Sequence, residues 1–302
     1  MLQSLSDAIE AFLLSRRVQN CSAATARLYS DNLARFQKAT AIATLAEVHV
    51  GTLQLYLADL LGCMKPVSVH QHFRTLKTFF AWCVETGLLA DTPMRAIRMK
   101  APKTFPHVPE DSEVRALFNA CSNTFEGRRN RALVALLVDS GLRISEALHL
   151  RIEDVDFADQ KLRVKGGKGG KDGVGFFGTE TAQTMRVWLR TRRGSAREDF
   201  LFTDSHGMPF SRHHACHILH RLSVRAGLRH KVGPHALRHY AATSILKQTG
   251  DLYLVREVLR HESLTMTLRY ARLNQVEVGR KFRKASPLDS LKVHWLNERT
   301  FA

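Results

Sequence analysis

Six polar side chains in the second half of the chain are of types that could cut a phosphodiester without a metal ion: Arg143, Lys168, His235, Arg238, His261 and Tyr270. A guanidinium presents a rigid fork that matches two phosphate oxygens, and it keeps its proton at physiological pH. A tyrosine hydroxyl can act as nucleophile, while histidine and lysine can move protons. The sequence carries no carboxylate cluster of the type that holds magnesium. It therefore predicts a site in which side chains alone balance the charge, with no metal and no cofactor.

The order and spacing of these residues resemble the tyrosine recombinase family of phage integrases and Xer recombinases, from about residue 5 to about residue 275. The matching segments are Ser140–Glu146, the glycines around Lys168, Pro234–His239, Leu259–Ser263 and Leu268–Tyr270. The resemblance implies a site-specific DNA recombinase, or integrase, that forms a 3′-phosphotyrosyl link without ATP. A type IB topoisomerase with the same chemistry and a catalytically silent DNA-binding regulator are the alternatives.

By this resemblance, Arg143 and Arg238 clamp the phosphate and Tyr270 attacks it. Tyr270 follows a histidine by nine residues, which Tyr253 does not. Glu146 shares a helical face with Arg143 in a helix expected over 144–150, so it could orient the guanidinium from behind. The alternative for Glu146 is an ordinary helix carboxylate.

The segment 161–177 predicts a strand, a glycine-rich turn and a return strand, with lysines near the tip. Lys168, between two glycines, is the implied general acid, and Lys165 and Lys171 are alternatives that could also contact DNA. The chain departs from the family here, since the usual basic residue and proline after the lysine are missing. Asp172 follows Gly170-Lys171, so the nucleotide-binding loop pattern is not met.

Gly233-Pro234 is a suitable helix start, which places His235 and Arg238 on one face beside free backbone N–H groups. The resemblance makes His235 and His261 supporting acid/base and hydrogen-bonding groups, while His239 is expected to pack or support the site. Before His261 the family usually has glycine, whereas this chain has Arg260. We expect a solvated arginine there, with a DNA phosphate contact as the alternative.

Histidines at helical spacing in 211–221 form a second cluster. His213, His217 and His220 share a face with Cys216, which on paper could hold a metal ion. The HExxH signature is absent, and the resemblance places this helix near DNA. The predicted DNA contacts are therefore Arg212, His213 and His217, with a half-buried polar face as the alternative.

Composition agrees with a polyanionic partner. The chain has 45 Lys and Arg against 28 Asp and Glu, a net charge of +17, of which residues 1–100 contribute +4. Five widely spaced cysteines without a CxxC pair fit a reducing cytosol. Apolar runs fall short of the roughly 18 residues of a membrane span. We expect a cytoplasmic, nucleoid-associated prokaryotic protein, from a mobile element or chromosome, that binds double-stranded DNA at a specific site and no membrane.

Three prolines within eight residues predict a linker at 101–109 between two domains. Helical periodicity in 5–14, 24–36, 50–61, 68–82 and 90–97 predicts a helical bundle over 1–100, and the resemblance makes it a SAM-like core DNA-binding domain. The expected fold is mainly α, with an α+β catalytic domain at 110–275 that carries a small β-hairpin.

The tail, 276–302, is too apolar for a solvated arm. It is expected to dock on a neighbouring protomer or to pack on its own domain. The resemblance further implies a homotetramer on DNA, and a second recombinase or an accessory protein is a possible partner.

Overall fold

The computed structural model describes residues 4–102, 107–165, 172–192, 200–260, 263 and 267–268. The chain divides into two compact units, Met1–Phe105 and Pro106–Ala302. The division lies inside the segment expected as a linker.

Within residues 4–102, the described part of the first unit, four α-helices form. They are α1 (Leu5–Val18), α2 (Ala23–Thr40), α3 (Val50–Cys63) and α4 (Pro66–Glu85), with a 3₁₀ turn at Leu45–Glu47. Ser4 and Ser22 cap α1 and α2 by accepting hydrogen bonds from backbone N–H groups. The core is aromatic: the rings of Phe12 and Phe79 lie 5.4 Å apart and are fully buried, as is Phe36.

The prediction of a helix at 90–97 is wrong. This segment forms a turn at residues 93–96 and no α-helix. Pro93 disfavours the helical conformation of the preceding Thr92. The Asp91 carboxylate and the Thr92 hydroxyl accept the backbone N–H groups of Thr92 and Met94, which gives the backbone a local alternative to a helix. Met94 is still buried in the core. The apolar spacing therefore correctly predicted a buried side chain but not a helix.

The second unit is organised around α6 (Phe125–Ser140), whose residues Ala132–Leu137 are almost completely buried. Because this stretch is buried on all sides, it is packed directly by α5 (Asp111–Asn119), α7 (Ile144–His149), α8 (Thr179–Thr191) and α10 (Pro234–Thr249). Helix α9 (Arg212–Arg225) packs on α7, and α11 (Leu252–Leu259) packs on α10. A 3₁₀ turn lies at Ile152–Asp154. Glu110 caps α5 together with Glu113.

A small antiparallel sheet forms the edge of this unit, in the order β1 (Val155–Asp156), β2 (Lys161–Val164) and β3 (Gly173–Phe176). Lys161 pairs with Phe176 and Val164 with Gly173, so β2 and β3 form the expected hairpin. Leu162 and Val164 face the core, while Lys161 and Arg163 face solvent. The predicted fold class, mainly helical with a small sheet, is confirmed. Within the described residues, no helix is long and apolar enough to cross a membrane.

Candidate active site

Arg143 stands immediately before α7 and is fixed by Glu146. One Glu146 oxygen accepts a hydrogen bond from the Arg143 backbone N–H at 2.7 Å, and the other accepts from Arg143 Nη1 at 2.8 Å. The Arg143 side chain is 29% exposed and that of Glu146 only 7% exposed. A guanidinium held by a carboxylate on one side in this way remains accessible to solvent on the other.

Arg238, on α10, is a buried arginine held by backbone. Its Nη1 donates to the carbonyl of Gly141 at 2.5 Å, and its Nη2 donates to the carbonyl of Leu259 at 2.7 Å. Gly141 ends α6 in the left-handed conformation, with φ 59°. A Cβ there would lie 2.6 Å from Leu259 Cδ2, so glycine permits both the turn and the close approach. The ends of α6 and α11 are thereby joined through one guanidinium.

His235 lies beside the two arginines. Desolvation, followed by the positive charges of Arg212, Arg238 and Arg143, lowers its pKa below the ordinary 6.5. The residue is nevertheless exposed, so the imidazole can be reached from solvent. At neutral pH it is therefore an uncharged ring, able to accept a proton, among three arginines.

Arg260 is not the solvated arginine that we expected. Its Nη2 lies 2.6 Å from Glu146 Oε2, and its side chain is only 16% exposed. It occupies the left-handed conformation, with φ 51° and ψ 52°, at the C-terminal cap of α11. Since its partner is 114 residues away in sequence, no local pattern could have revealed the pair.

Lys165, at the end of β2, is engaged by carboxylates. Its Nζ lies 2.8 Å from Asp154 Oδ1 and 3.0 Å from Glu153 Oε1. The hydrogen bond to Asp154, and after it the one to Glu153, raises the pKa of the Lys165 ammonium group above its ordinary value. The sequence did not predict that buried Asp154 would pair with Lys165. The available signal was the acidic pair Glu153-Asp154 shortly before a strand rich in basic residues. Lys165 is consequently a poor proton donor near neutral pH.

The histidines of α9 form one pair. His213 Nε2 and His217 Nε2 are 3.2 Å apart, both residues are exposed, and Arg212 is exposed at the start of the helix. Among the described residues, no group of three His, Cys, Asp or Glu side chains is placed to hold a metal ion. The exposed end of α9 is thus a polar surface close enough to His235 for the charge of Arg212 to be felt there.

The two residues after Arg238 differ in their surroundings. His239 is partly buried, and its carbonyl accepts the Thr243 hydroxyl. The Tyr240 hydroxyl donates to Asp111 on α5 at 2.9 Å, which ties α10 to the first helix of the unit. Tyr240 therefore contributes to packing between α10 and α5.

Of the predicted site residues, the structure brings together Arg143, Glu146, His235 and Arg238, with Arg212 and Arg260 beside them. Lys168, Lys171, His261, Tyr270 and the tail 276–302 lie outside the described residues.

Residues 108–277 match the model of the phage integrase family, which is more than half of the chain. The chain belongs to the phage integrase family. The predicted resemblance is thereby confirmed.

Named relatives of this integrase-family chain are bacterial recombinases. It is 31% identical over 286 residues to tyrosine recombinase XerC of Xanthomonas campestris, covering 93% of this chain and 88% of the relative. It is 29% identical over 283 residues to XerC of Oceanobacillus iheyensis, covering 89% and 92%. With tyrosine recombinase XerD of Ralstonia nicotianae it shares 34% identity over 200 residues, covering 64% and 65%.

Solved structures share the integrase fold. XerH recombinase bound to its palindromic difH substrate has a TM-score of 0.73 at 21% identity, covering 91% of this chain and 82% of that one. A lambda integrase dimer bound to a core site has a TM-score of 0.76 at 17% identity, covering 89% and 95%. The Tn1549 transposon integrase with transposon right-end DNA has a TM-score of 0.76 at 16% identity, covering 94% and 99%.

This integrase-family chain is an enzyme of the tyrosine-type site-specific recombinase class, which confirms the predicted activity. Its named relatives are recombinases, so neither the type IB topoisomerase nor the silent regulator is favoured.

Proposed function

We propose that the protein cuts and rejoins duplex DNA at a specific recombination site through Tyr270, with Arg143 and Arg238 holding the scissile phosphate. The observation that carries the proposal is the cluster of these two arginines around an uncharged His235. Two cations and one proton acceptor suit a phosphate on which negative charge builds in the transition state.

The reaction balances without a cofactor. The bond from Tyr270 Oη to phosphorus forms as the bond from phosphorus to the 5′ oxygen breaks. The tyrosine proton passes to a base, for which exposed His235 is suited, with His261 supporting. The general acid protonates the departing 5′ oxygen and leaves a 3′-phosphotyrosyl link. A 5′-hydroxyl from a partner strand reverses the step, so the ester energy is kept and ATP is not needed.

We assign the general acid to Lys168. Lys165 is held by Asp154 and Glu153, and its raised pKa opposes proton donation. Lys171 remains the alternative within the same hairpin. The ion pairs of Lys165 support a different role, in which it fixes the base of the hairpin that carries the acid.

We propose that residues 1–100 form a helical domain that binds the core site. Residues 101–109 then act as a linker, and residues 110–275 form the catalytic domain.

Exchange between two duplexes uses four protomers, and we propose that the tail 276–302 docks on a neighbour in that tetramer. DNA contacts come from the exposed α9 residues Arg212, His213 and His217. The reaction takes place in the cytoplasm of a prokaryote, on its nucleoid or on a mobile element.

Covalent trapping tests the chemistry. The binding site is first selected from random duplexes with the Tyr270→Phe protein, and a nicked suicide substrate of that sequence is then offered to the wild-type protein. We expect a protein–DNA adduct on a denaturing gel that Tyr270→Phe does not form. Tyr253→Phe is the matched control, because Tyr253 is an exposed tyrosine of α11 with no assigned role and keeps the adduct. An adduct that survives in Tyr270→Phe would show that another residue is the nucleophile.

Strand exchange and assembly are measured next. Exchange between two labelled duplexes supports recombination, whereas relaxation of supercoiled DNA without exchange supports the topoisomerase alternative. Deletion of 280–302 is expected to abolish cooperative assembly on DNA. Unchanged assembly would place the tail on its own domain.

A further inference from the structure

We propose that Arg260 is a positioning residue of this active site, which fixes Glu146 against Arg143 and fastens both to strand β3 of the hairpin. The inference rests on the proposed function, because it assigns a role in the same site. It concerns the position at which this chain departs from the glycine usual in the family.

The first support is the geometry of the Glu146 carboxylate, which lies between two guanidinium groups. Oε1 accepts from Arg143 Nη1 at 2.8 Å, and Oε2 accepts from Arg260 Nη2 at 2.6 Å. Both glutamate and Arg260 are largely buried, with 7% and 16% of their side chains exposed. Removing one partner of a buried ionic group leaves the rest uncompensated, so Arg143 would lose a fixed support.

The second support is the backbone at Arg260. Its φ of 51° is a conformation that a residue with a side chain adopts at a cost and that glycine adopts freely. Among the described residues, Arg260 Nη1 has no hydrogen-bond partner, so the contact through Nη2 is what fixes the guanidinium there. A strained position that keeps a long cationic side chain points to a use for that side chain.

The third support is the close approach of the Arg260 side chain to the backbone of strand β3. A Cβ at Gly173 would lie 2.6 Å from Arg260 Cδ, and one at Gly175 would lie 3.5 Å from Arg260 Nη1. Because the end of the side chain is held by Glu146, Cδ could not move aside without breaking that pair. Gly173 of Asp172-Gly-Val-Gly, a segment that also departs from the family pattern, therefore provides the path for Arg260, whereas a Cβ at Gly175 would make only an ordinary van der Waals contact with Nη1. The close approach of Arg260 to Gly173 thus links the two departures.

Charge at Glu146 agrees with this role. Burial raises the pKa of the carboxyl, but the charge of Arg260 and then the hydrogen bonds of Arg143 outweigh burial, and the pKa lies below its ordinary value. The charge of Arg260 is thus the largest single cause that lowers the pKa of Glu146, and an ionised Glu146 is what holds Arg143.

The kinetic test uses single-turnover cleavage of the suicide substrate by four variants. Arg260→Gly relieves the backbone and removes the cation, Arg260→Lys restores a cation, and Gly173→Ala displaces the side chain without changing charge. Arg256→Gln is the matched control, an arginine of the same α11 paired with its neighbour Glu257. We expect DNA affinity within about twofold of wild type throughout. Cleavage should fall on the order of ten- to a hundredfold for Arg260→Gly and for Gly173→Ala, partly recover in Arg260→Lys, and stay unchanged in Arg256→Gln.

The route through Glu146 is tested by combining variants. If Arg260 acts through Glu146, Arg260→Gly adds little to the loss already caused by Glu146→Gln. A full additional loss would overturn that route. Cleavage by Arg260→Gly at the wild-type rate would overturn the proposal as a whole.

A readout independent of catalysis separates this inference from the proposed function. Carbon-13 NMR of glutamate-labelled protein, with the Glu146 signal assigned from Glu146→Gln, should show the carboxyl titrating at higher pH in Arg260→Gly than in wild type. An unchanged titration contradicts the Arg260–Glu146 contact. If that shift is seen but wild-type protein forms no Tyr270-dependent adduct, the proposed function fails while the contact stands.

Discussion

Arg238 Nη1 lies 2.5 Å from the carbonyl oxygen of Gly141, the residue that ends the central helix α6. The position of an arginine proposed to hold the scissile phosphate thus depends on a left-handed glycine 97 residues earlier in the chain. The turn at Gly141 helps to position the proposed active site, although glycine contributes no side chain.

Gly141→Ala is expected to lower both stability and cleavage. A left-handed alanine costs about 1–2 kcal/mol, and its Cβ would lie 2.6 Å from Leu259 Cδ2. With roughly 2–4 °C per kcal/mol for a domain of this size, the melting temperature should fall by several degrees. Calorimetry measures the shift. Gly62→Ala, a helical glycine with nothing within 4 Å of its Cβ, is the control and should not lower it.

Lys165→Met should slow cleavage less than Lys168→Met. Lys165 supports the base of the hairpin, whereas Lys168 is the proposed acid, so only loss of Lys168 removes the proton donor. A substrate with sulfur in place of the 5′ oxygen distinguishes them, because a thiolate leaves without a proton. That substrate should rescue Lys168→Met and leave Lys165→Met slow. Rescue of Lys165→Met instead would make Lys165 the acid.

The His235 imidazole should titrate below pH 6.5 in the free protein, since desolvation and three arginine charges oppose its protonation. Arg212→Gln removes one charge and should move the titration upward, as followed by proton NMR. Arg225→Gln, a charge at the opposite end of α9, should not. An unchanged titration in Arg212→Gln would contradict the proximity of Arg212 and His235.

The lowered pKa of His235 also predicts how the free energy of unfolding changes with pH. Well above pH 6.5, His235 is neutral in both the folded and the unfolded chain and contributes nothing to the pH dependence of stability. Below that pH the unfolded chain binds the proton more readily, so the free energy of unfolding should fall as the pH drops through the folded pKa. Denaturant titrations at several pH values should show a smaller loss for His235→Gln than for wild type. An equal loss would assign the acid sensitivity to other groups.

The exposed end of α9 should contribute to DNA affinity through phosphate contacts. Arg212→Gln is expected to weaken binding to specific and random duplexes alike and to reduce the slope of log affinity against log salt by about 1. An effect confined to one DNA sequence would instead indicate a base contact.

The sequence was sufficient where chemistry is local. The pairing of Arg143 with Glu146, three residues apart, follows from helical spacing. Reasoning failed where a distant partner or a single proline decided the outcome. Arg260 resembled a surface arginine because Glu146 is 114 residues away, and 90–97 had helical periodicity that Pro93 did not allow.

The two carbonyl contacts of Arg238 constrain how a recombinase of this type can lose its activity during evolution. Replacing Arg238 removes a cross-brace between the ends of α6 and α11, so the fold suffers together with the chemistry. Replacing Arg143 leaves Glu146 paired with Arg260 and breaks no link between helix ends, because the Arg143 side chain is paired with a neighbour in its own helical turn. Descendants that keep DNA binding and lose cleavage should therefore carry their first substitution at Arg143, and they should retain Arg238 for its contacts with the two backbone carbonyls.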